Sequence, residues 1–318
     1  MKNILVTGGA GFIGSHLVDS LLADGDCDVT VVDDFNNFYN PALKRKNIEN
    51  HFGSSSYELS EIDICDLSAL RQFFSTKRFD CIVHLAARAG VRPSLEEPIL
   101  YTEVNVRGTL NLLELAREFG VRQFIFASSS SVYGSRNKIP FNESDSVSHP
   151  ISPYAYTKAA GELVCHTYSH IYGIRCVCLR FFTVYGARQR PDLAIRKFTD
   201  LISAGKPVPF FGDGTTRRDY TYIDDIIAGV RAAMNYQETD YEIFNLGNSR
   251  TVELRDLVAL LEVNLGKKAL IEKLPLQAGD VPQTNADIAK ARRLLGFNPQ
   301  TPIESGIARF VEWFGNRN

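Results

Sequence analysis

Residues 2–14 read KNILVTGGAGFIG, and the order of events along that stretch decides the fold. Residues 4–7 form a short apolar run with the make-up of a buried strand. Gly8, Gly11 and Gly14 follow at once, and an apolar pattern of helical period begins at Phe12 and continues to residue 22. Glycine between a strand and a helix lets the backbone approach a diphosphate at the helix N-terminus and lets the two elements pack closely. The spacing is G-x-x-G-x-x-G rather than G-x-G-x-x-G, and alone it marks only a tight turn. Its position gives it weight, together with a second strand-like run that ends at Asp33, about 20 residues further on. A carboxylate there binds the ribose hydroxyls of adenosine and repels a 2′-phosphate. The expected ligand is therefore NAD rather than NADP, with Gly8, Gly11, Phe12, Ile13, Gly14, Asp33 and Asn36 as contacts, while the neighbouring Asp34 also reads as a solvated turn residue.

Working outward, residues 29–32, 81–85, 124–127 and 176–179 are strand-like, and residues 67–74, 105–119 and 154–172 carry apolar side chains at helical spacing. Such alternation predicts a parallel sheet covered by helices on both faces, because parallel strands need crossover connections. The expected class is α/β, a doubly wound Rossmann sheet with a smaller, irregular C-terminal lobe. Beyond residue 186 the rhythm breaks, with helix candidates at 193–203, 224–234, 253–265, 288–294 and 303–314, and with GKPVPFFGDG (205–214) and LPLQAGDVPQT (274–284) reading as pocket walls. Residues 1–186 are expected to bind mainly the dinucleotide and residues 187–318 mainly the substrate, with some exchange of strands and helices.

Lys plus Arg number 35 against 37 Asp plus Glu, so the net charge of -2 offers no footprint for nucleic acid or an anionic membrane. No run is long and apolar enough for a membrane span, and no signal-peptidase site follows the N-terminal run. The six cysteines form no C-x-x-C pair, no metal site is expected, and a reducing cytoplasm fits this cysteine usage.

Tyr154 and Lys158, in PYAYTKAAGE (153–162), are four residues apart and share one helix face. A free phenol titrates near ~10 and is a poor base at neutral pH unless a nearby cation favours phenolate. Alone, Y-x-x-x-K reads as a surface pair. Here Ser128, Ser129, Ser130 and Ser131 stand upstream at a strand's carboxyl end, where doubly wound sheets bind ligands. Asp63 and Ile64 in EIDICD, and Ala86 and Ala87 in HLAAR, occupy loops that should reach the same cofactor. Tyr133 and Tyr156 read as structural.

Taken in order, TGGAGFIG, HLAA, SSSSVYG, YxxxK, RFFTVYG and RRDYTYIDD resemble the motifs of extended short-chain dehydrogenases that act on nucleotide sugars, over nearly the whole chain. The resemblance implies a triad of Ser129, Tyr154 and Lys158, with Ser128 or Ser130 sharing the serine's role. It also implies a cycle in which Tyr154 takes a proton from a sugar hydroxyl, hydride leaves carbon 4, and hydride returns to the other face of the ketone. Net redox is then zero, and NAD should be tightly held. Dehydratases of this group carry Asp-Glu directly before V-Y-G and related decarboxylases carry Glu there, whereas this chain has Ser130 and Ser131.

RFFTVYGARQRPDLAI (180–195) is similar to the corresponding segment of UDP-glucuronate 4-epimerases, with Thr183 where UDP-galactose 4-epimerases usually carry asparagine. Arg190 suits a bidentate pair with a sugar carboxylate; Arg188 competes with it, and phosphate or solvent is the alternative role for both. AGVRPSLEEP (89–98), with Arg92 and Ser94, also resembles the uronate group, whereas Ala187 and Leu193 depart from it. By the same resemblance Arg218 binds diphosphate, with Arg217 as competitor, and Asp280 lies near the uridine ribose. Phe210 packs on the base or belongs to the core. The 4-keto intermediate of a uronate is a β-keto acid, so Thr183, Arg190 and the serine strand end are expected to hold the carboxylate in the carbonyl plane and prevent decarboxylation. The other substrates considered are UDP-glucose and UDP-N-acetylglucosamine, and the rival of another class is a non-catalytic NAD-binding regulatory protein. The resemblance also implies a homodimer through helices at 105–119 and 154–172.

Overall fold

The computed structural model describes residues 1–135, 138–275 and 281–317. Its centre is a seven-stranded, all-parallel sheet. In chain order the first strands and helices are β1 (Lys2–Thr7), α1 (Phe12–Asp24), β2 (Cys27–Asp33), α2 (Pro41–Ile48), β3 (Tyr57–Glu61), α3 (Leu67–Ser75) and β4 (Cys81–His84). A short α4 (Val91–Glu96) and α5 (Pro98–Thr102) lead through a π-helical turn, Glu103–Arg107, into α6 (Gly108–Phe119). Then come β5 (Gln123–Ser129), α7 (Pro153–Tyr172), β6 (Arg175–Phe181), β7 (Thr183–Tyr185), α8 (Ala194–Ser203), β8 (Pro207–Phe211), β9 (Arg217–Tyr222), α9 (Ile223–Met234) and β10 (Tyr241–Leu246). The chain ends with β11 (Thr251–Glu253), α10 (Leu254–Leu265), β12 (Leu270–Leu274), α11 (Ala289–Leu295) and α12 (Ile303–Gly315).

The sheet order is β10-β6-β5-β4-β1-β2-β3. From β1 the chain winds outward to β2 and β3, then returns to lay β4 on β1's other side. This reversal opens a crevice at the carboxyl ends of β1 and β4, where doubly wound sheets take their ligands. The class is the one expected from the sequence. Residue alternation along each strand builds two cores: Ile4, Val6, Val29, Val31 and Val83 face one way with α1 residues Leu17 and Val18, while Leu5, Val32, Ile82, Phe124 and Phe126 face the other with Leu112 and Leu115 of α6.

The helices expected from the sequence lie within a residue or two of their spans, except where the π turn interrupts residues 105–119; α2, α4 and α5 were not expected. Seven strands flank or leave the Rossmann pattern in ways periodicity did not reveal. Edge strand β3 is the polar YELSE, and β10 arrives from the second half of the chain to pair with β6, Phe244 opposite Leu179. The irregular part holds a three-stranded sheet, β11-β9-β7, and a two-stranded one, β12-β8. Among the described residues no helix is long and apolar enough to cross a membrane, and no cluster of three or more His, Cys, Asp or Glu is arranged for a metal ion.

Candidate active site

The glycine turn is dictated by contact distances. Gly8 has φ +70°, and a Cβ there would lie 2.7 Å from the backbone nitrogen of Ala86. A Cβ on Gly14 would stand 2.2 Å from the Gly8 carbonyl oxygen. The turn is therefore wedged against the end of β4, and α1 starts at Gly11 with no side chain capping it. Uncapped N–H groups at a helix start are matched to a phosphate. At the end of β2, Asp33 accepts from the Phe35 N–H at 2.9 Å and the Ala10 N–H at 3.3 Å, and pairs with buried Lys44 at 3.3 Å. Burial pushes its carboxyl up while Lys44 pulls it down.

These groups open into one cavity of about 440 Å³. Its walls include every residue expected to contact the cofactor: Gly8, Gly11, Phe12, Ile13, Gly14, Asp33, Asn36, Asp63, Ile64, Ala86, Ala87, Tyr154 and Lys158. Ser128, Ser129, Ser130, Thr183 and Arg190 share it. A dinucleotide has what it needs here: a side-chain-free turn, an uncapped helix start and a carboxylate at the second strand's end.

Ser129 ends β5, and its Oγ accepts from the Ser131 N–H at 3.1 Å, capping the 3-10 turn Ser130–Tyr133. Ser128 turns the other way. Its hydroxyl donates to Glu162 Oε1 at 2.5 Å, and Glu162 holds Arg180 by two bonds of 2.9 and 2.7 Å. On α7, Lys158 donates to the Ala127 carbonyl at 2.7 Å and its ammonium lies 6.0 Å from the centre of the Tyr154 ring. Burial pushes Lys158 down to about 8, against the pull of Glu162. Burial likewise holds the Tyr154 phenol above its ordinary value, with Ser129 and Arg190 drawing it back. Beneath them His84 is tied to the hydroxyls of Thr7 at 2.7 Å and Thr109 at 2.9 Å, and burial pushes it down to about 3, so it is neutral.

The two arginines of ARQRPD part company. Arg190 lines the cavity, its Nε and Nη2 donating to both oxygens of Asp192 at 3.0 and 2.9 Å, with its guanidinium 5.4 Å from the Phe38 ring centre. Arg188 points away to Asp19 of α1 at 2.6 Å. Arg92 and Arg218 are not on the cavity wall: Arg92 sits over the Phe211 ring at 4.7 Å, and Arg218 donates to the Arg217 carbonyl at 2.9 Å. Arg217 pairs with Glu253 at 2.5 Å, and Phe210 is buried in the core at the end of β8. Asp280 lies outside the described residues. Tyr133 is buried, donating to Asn245 at 2.7 Å, and Tyr156 bonds Thr102 on the outer face of α7.

Sequence reasoning missed several residues that hold the site. Asn105, in the π turn, both accepts from the Arg88 N–H at 2.8 Å and donates to the Arg88 carbonyl at 2.9 Å, pinning the loop after β4, and donates to Thr157 beside the Tyr154–Lys158 turn. Glu162 was hidden as an ordinary helix glutamate, although its place one turn after Lys158 was a signal. Phe38, Tyr39 and Lys44 line the cavity from a segment to which the sequence reading gave no element, Lys44 lying on α2.

The comparisons agree with this geometry. A UDP-glucuronate 4-epimerase of Thermodesulfobacterium geofontis is 44% identical over 314 residues, 98% of this chain and 96% of that protein. The crystal structure of UDP-glucuronic acid 4-epimerase from Bacillus cereus, in complex with UDP-glucuronic acid and NAD, superposes with a TM-score of 0.91 at 38% identity, covering 99% of this chain and all of that one. UDP-glucose 4-epimerase from Thermotoga maritima, with UDP-glucose, gives 0.90 at 36% identity, covering 98% of each chain. The family description that matches residues 4–247 runs from within β1 through β10 and takes in Ser129, Tyr154 and Lys158, and on that match the chain belongs to the NAD dependent epimerase/dehydratase family.

Proposed function

We propose that this protein is an NAD-dependent UDP-sugar 4-epimerase whose substrate is UDP-glucuronate, interconverted with UDP-galacturonate. The observation that carries the uronate reading is Arg190, a guanidinium on the same cavity wall as Tyr154, Lys158 and Thr183. It gives a sugar carboxylate a counter-charge that an uncharged hexose does not need. The absence of a carboxylate at Ser130 and Ser131 supports epimerisation over dehydration and decarboxylation.

NAD, when bound, accepts the hydride from sugar carbon 4 and gives it back. The chain's own groups do the rest. Tyr154 takes the proton of the 4-hydroxyl and returns it, and the Lys158 ammonium stabilises the phenolate. Because Ser128 is committed to Glu162, Ser129 is the strand-end serine we assign to bridge Tyr154 and the sugar oxygen. Thr183 and Arg190 hold the carboxylate near the plane of the 4-ketone, where its bond to carbon 5 cannot align for loss of carbon dioxide. Arg218 is assigned to the diphosphate. We assign cofactor binding mainly to residues 1–186 and substrate binding mainly to residues 187–318, with β10 returned to the cofactor sheet.

A neutral UDP-hexose is the second reading, favoured by one feature: the Arg190 charge is already matched by Asp192. Incubation with UDP-glucuronate and, separately, UDP-glucose, without added NAD, followed by chromatography, decides between them. UDP-galacturonate alone is the expected product; turnover of UDP-glucose instead overturns the carboxylate role. Replacing Arg190 with His should raise the share of pentose product, and an unchanged partition counts against the clamp.

We further propose a homodimer through α6 and α7, whose outer faces expose Leu110, Leu163, Ile171 and Tyr172. A cytoplasmic setting is supported by six free cysteines, five of them buried.

A further inference from the structure

Arg188 has φ +61°, the left-handed region that a side chain with a Cβ rarely adopts, yet the residue is an arginine and not a glycine or asparagine. Its neighbours explain what that conformation achieves. Ala187 accepts at its carbonyl from His16 Nε2 at 2.9 Å. The Arg188 guanidinium meets Asp19 Oδ2 at 2.6 Å, and the other oxygen of Asp19 meets His51 Nε2 at 2.6 Å. Gln189 is buried: its side-chain amide donates to the Val184 carbonyl at 3.1 Å and accepts from the Arg196 N–H at 3.1 Å, serving α8, which has no cap of its own. Arg190 then faces the cavity. Within four residues the loop sends Arg188 to α1 and Arg190 to the substrate side, and the left-handed turn between β7 and α8 makes that division. His16 and Asp19 lie on the helix whose first turn forms the cofactor cradle.

We propose that Arg188, latched to Asp19 of the cofactor helix, is a positioning residue that sets where Arg190 stands in the sugar subsite. The latch rests on the reading that Arg190 meets the sugar carboxylate. It joins two parts of the site that are far apart in sequence, fixing the 186–193 loop to the element that also fixes the cofactor. Arg190 carries its own partner, Asp192, on the same loop, so that pair fixes the guanidinium's orientation and leaves the loop's location to the latch. Displacing a binding group by about 1 Å is enough to cost up to 10²-fold in such sites.

The test is a double-mutant cycle with Arg188→Gly and Arg190→Ala, read by KM and kcat for UDP-glucuronate, with Asp19→Asn as a second way of opening the latch. Glycine accepts the left-handed backbone, so Arg188→Gly removes the guanidinium without straining the turn. With Arg190 present, Arg188→Gly and Asp19→Asn are each expected to raise KM roughly 10-fold or more with kcat little changed and NAD content of the purified protein unaltered. In the Arg190→Ala background, Arg188→Gly is expected to add nothing, because its effect passes through Arg190. No rise in KM with Arg190 present overturns the latch while leaving the carboxylate reading intact, provided Arg190→Ala itself raises KM. A rise that persists in the Arg190→Ala background overturns the latch as a device for Arg190. If neither substitution moves KM, both the latch and the carboxylate reading fall.

Discussion

Glu162→Gln should destabilise the protein by about 3–5 kcal/mol, the range for removing one partner of a buried ion pair. Arg180 is 2% exposed and its guanidinium has two bonds to the Glu162 carboxylate. Burial alone would push that guanidinium down, and the carboxylate beside it holds it up. Glutamine keeps the shape of glutamate, loses its charge and accepts through one oxygen, so Arg180 keeps its charge in an apolar wall made partly by the Tyr133 ring, 4.8 Å away. Ser128 loses its charged acceptor as well. For 318 residues, at about 2.1 cal/mol/K per residue, a loss of that size corresponds to a fall in Tm of roughly 4–7 °C. Denaturant unfolding followed by circular dichroism measures it, with melting as a second readout. The paired replacement Glu162→Met with Arg180→Met should cost less than Glu162→Gln alone, because it removes both charges together. A Glu162→Gln protein within about 1 kcal/mol of the parent would show that Arg180 finds another partner, and the reasoning would fail.

Four other outcomes are open to direct measurement. Stability should fall as pH drops from 6.5 towards 3, because unfolded His84 takes up a proton that the native residue, pushed down to about 3, refuses; His84→Gln should flatten that slope by about 1.4 kcal/mol per pH unit in chemical denaturation. Gly14→Ala should cost most of the bound NAD, since its Cβ would lie 2.2 Å from the Gly8 carbonyl oxygen, and the nucleotide released on denaturing the purified protein reports the loss. Tyr154→Phe should lower kcat by about 10²–10⁴-fold while NAD content holds; full activity would remove Tyr154 from the chemistry. Leu163→Arg, at a side chain 68% exposed on α7, should leave the proposed homodimer monomeric by analytical ultracentrifugation; a variant that still sediments as a dimer would place the interface elsewhere, and a parent protein that is itself monomeric would remove the dimer proposal.

What the sequence disclosed and what it concealed divide along a physical line. Periodicity reports elements that bury one face, so the strands holding Val6, Val31 and Ile125 and the helices around Leu17 and Leu112 were legible. Edge strand β3, with a polar YELSE, has no such period, and β10 pairs with a strand about 65 residues earlier, a partnership that no local window contains. The site follows the same rule. That Gly8, Gly14, Tyr154 and Lys158 meet at one cavity was legible because each group is defined by short spacing: a turn between strand and helix, or one helical turn between phenol and ammonium. Asp192, Asp19 and Asn105 were not, since each acts on a partner chosen by the folded backbone. Arginine pairs show the boundary most sharply. The sequence preferred Arg190 and kept Arg188 as its competitor, and it is the left-handed turn at Arg188 that sends one to α1 and the other to the cavity. Spacing therefore identifies which groups can do the chemistry, whereas the direction in which a loop presents them is a tertiary property. That is why choice of sugar should be sought in the 186–193 loop and its attachments rather than in the glycine turn or the Tyr154–Lys158 pair.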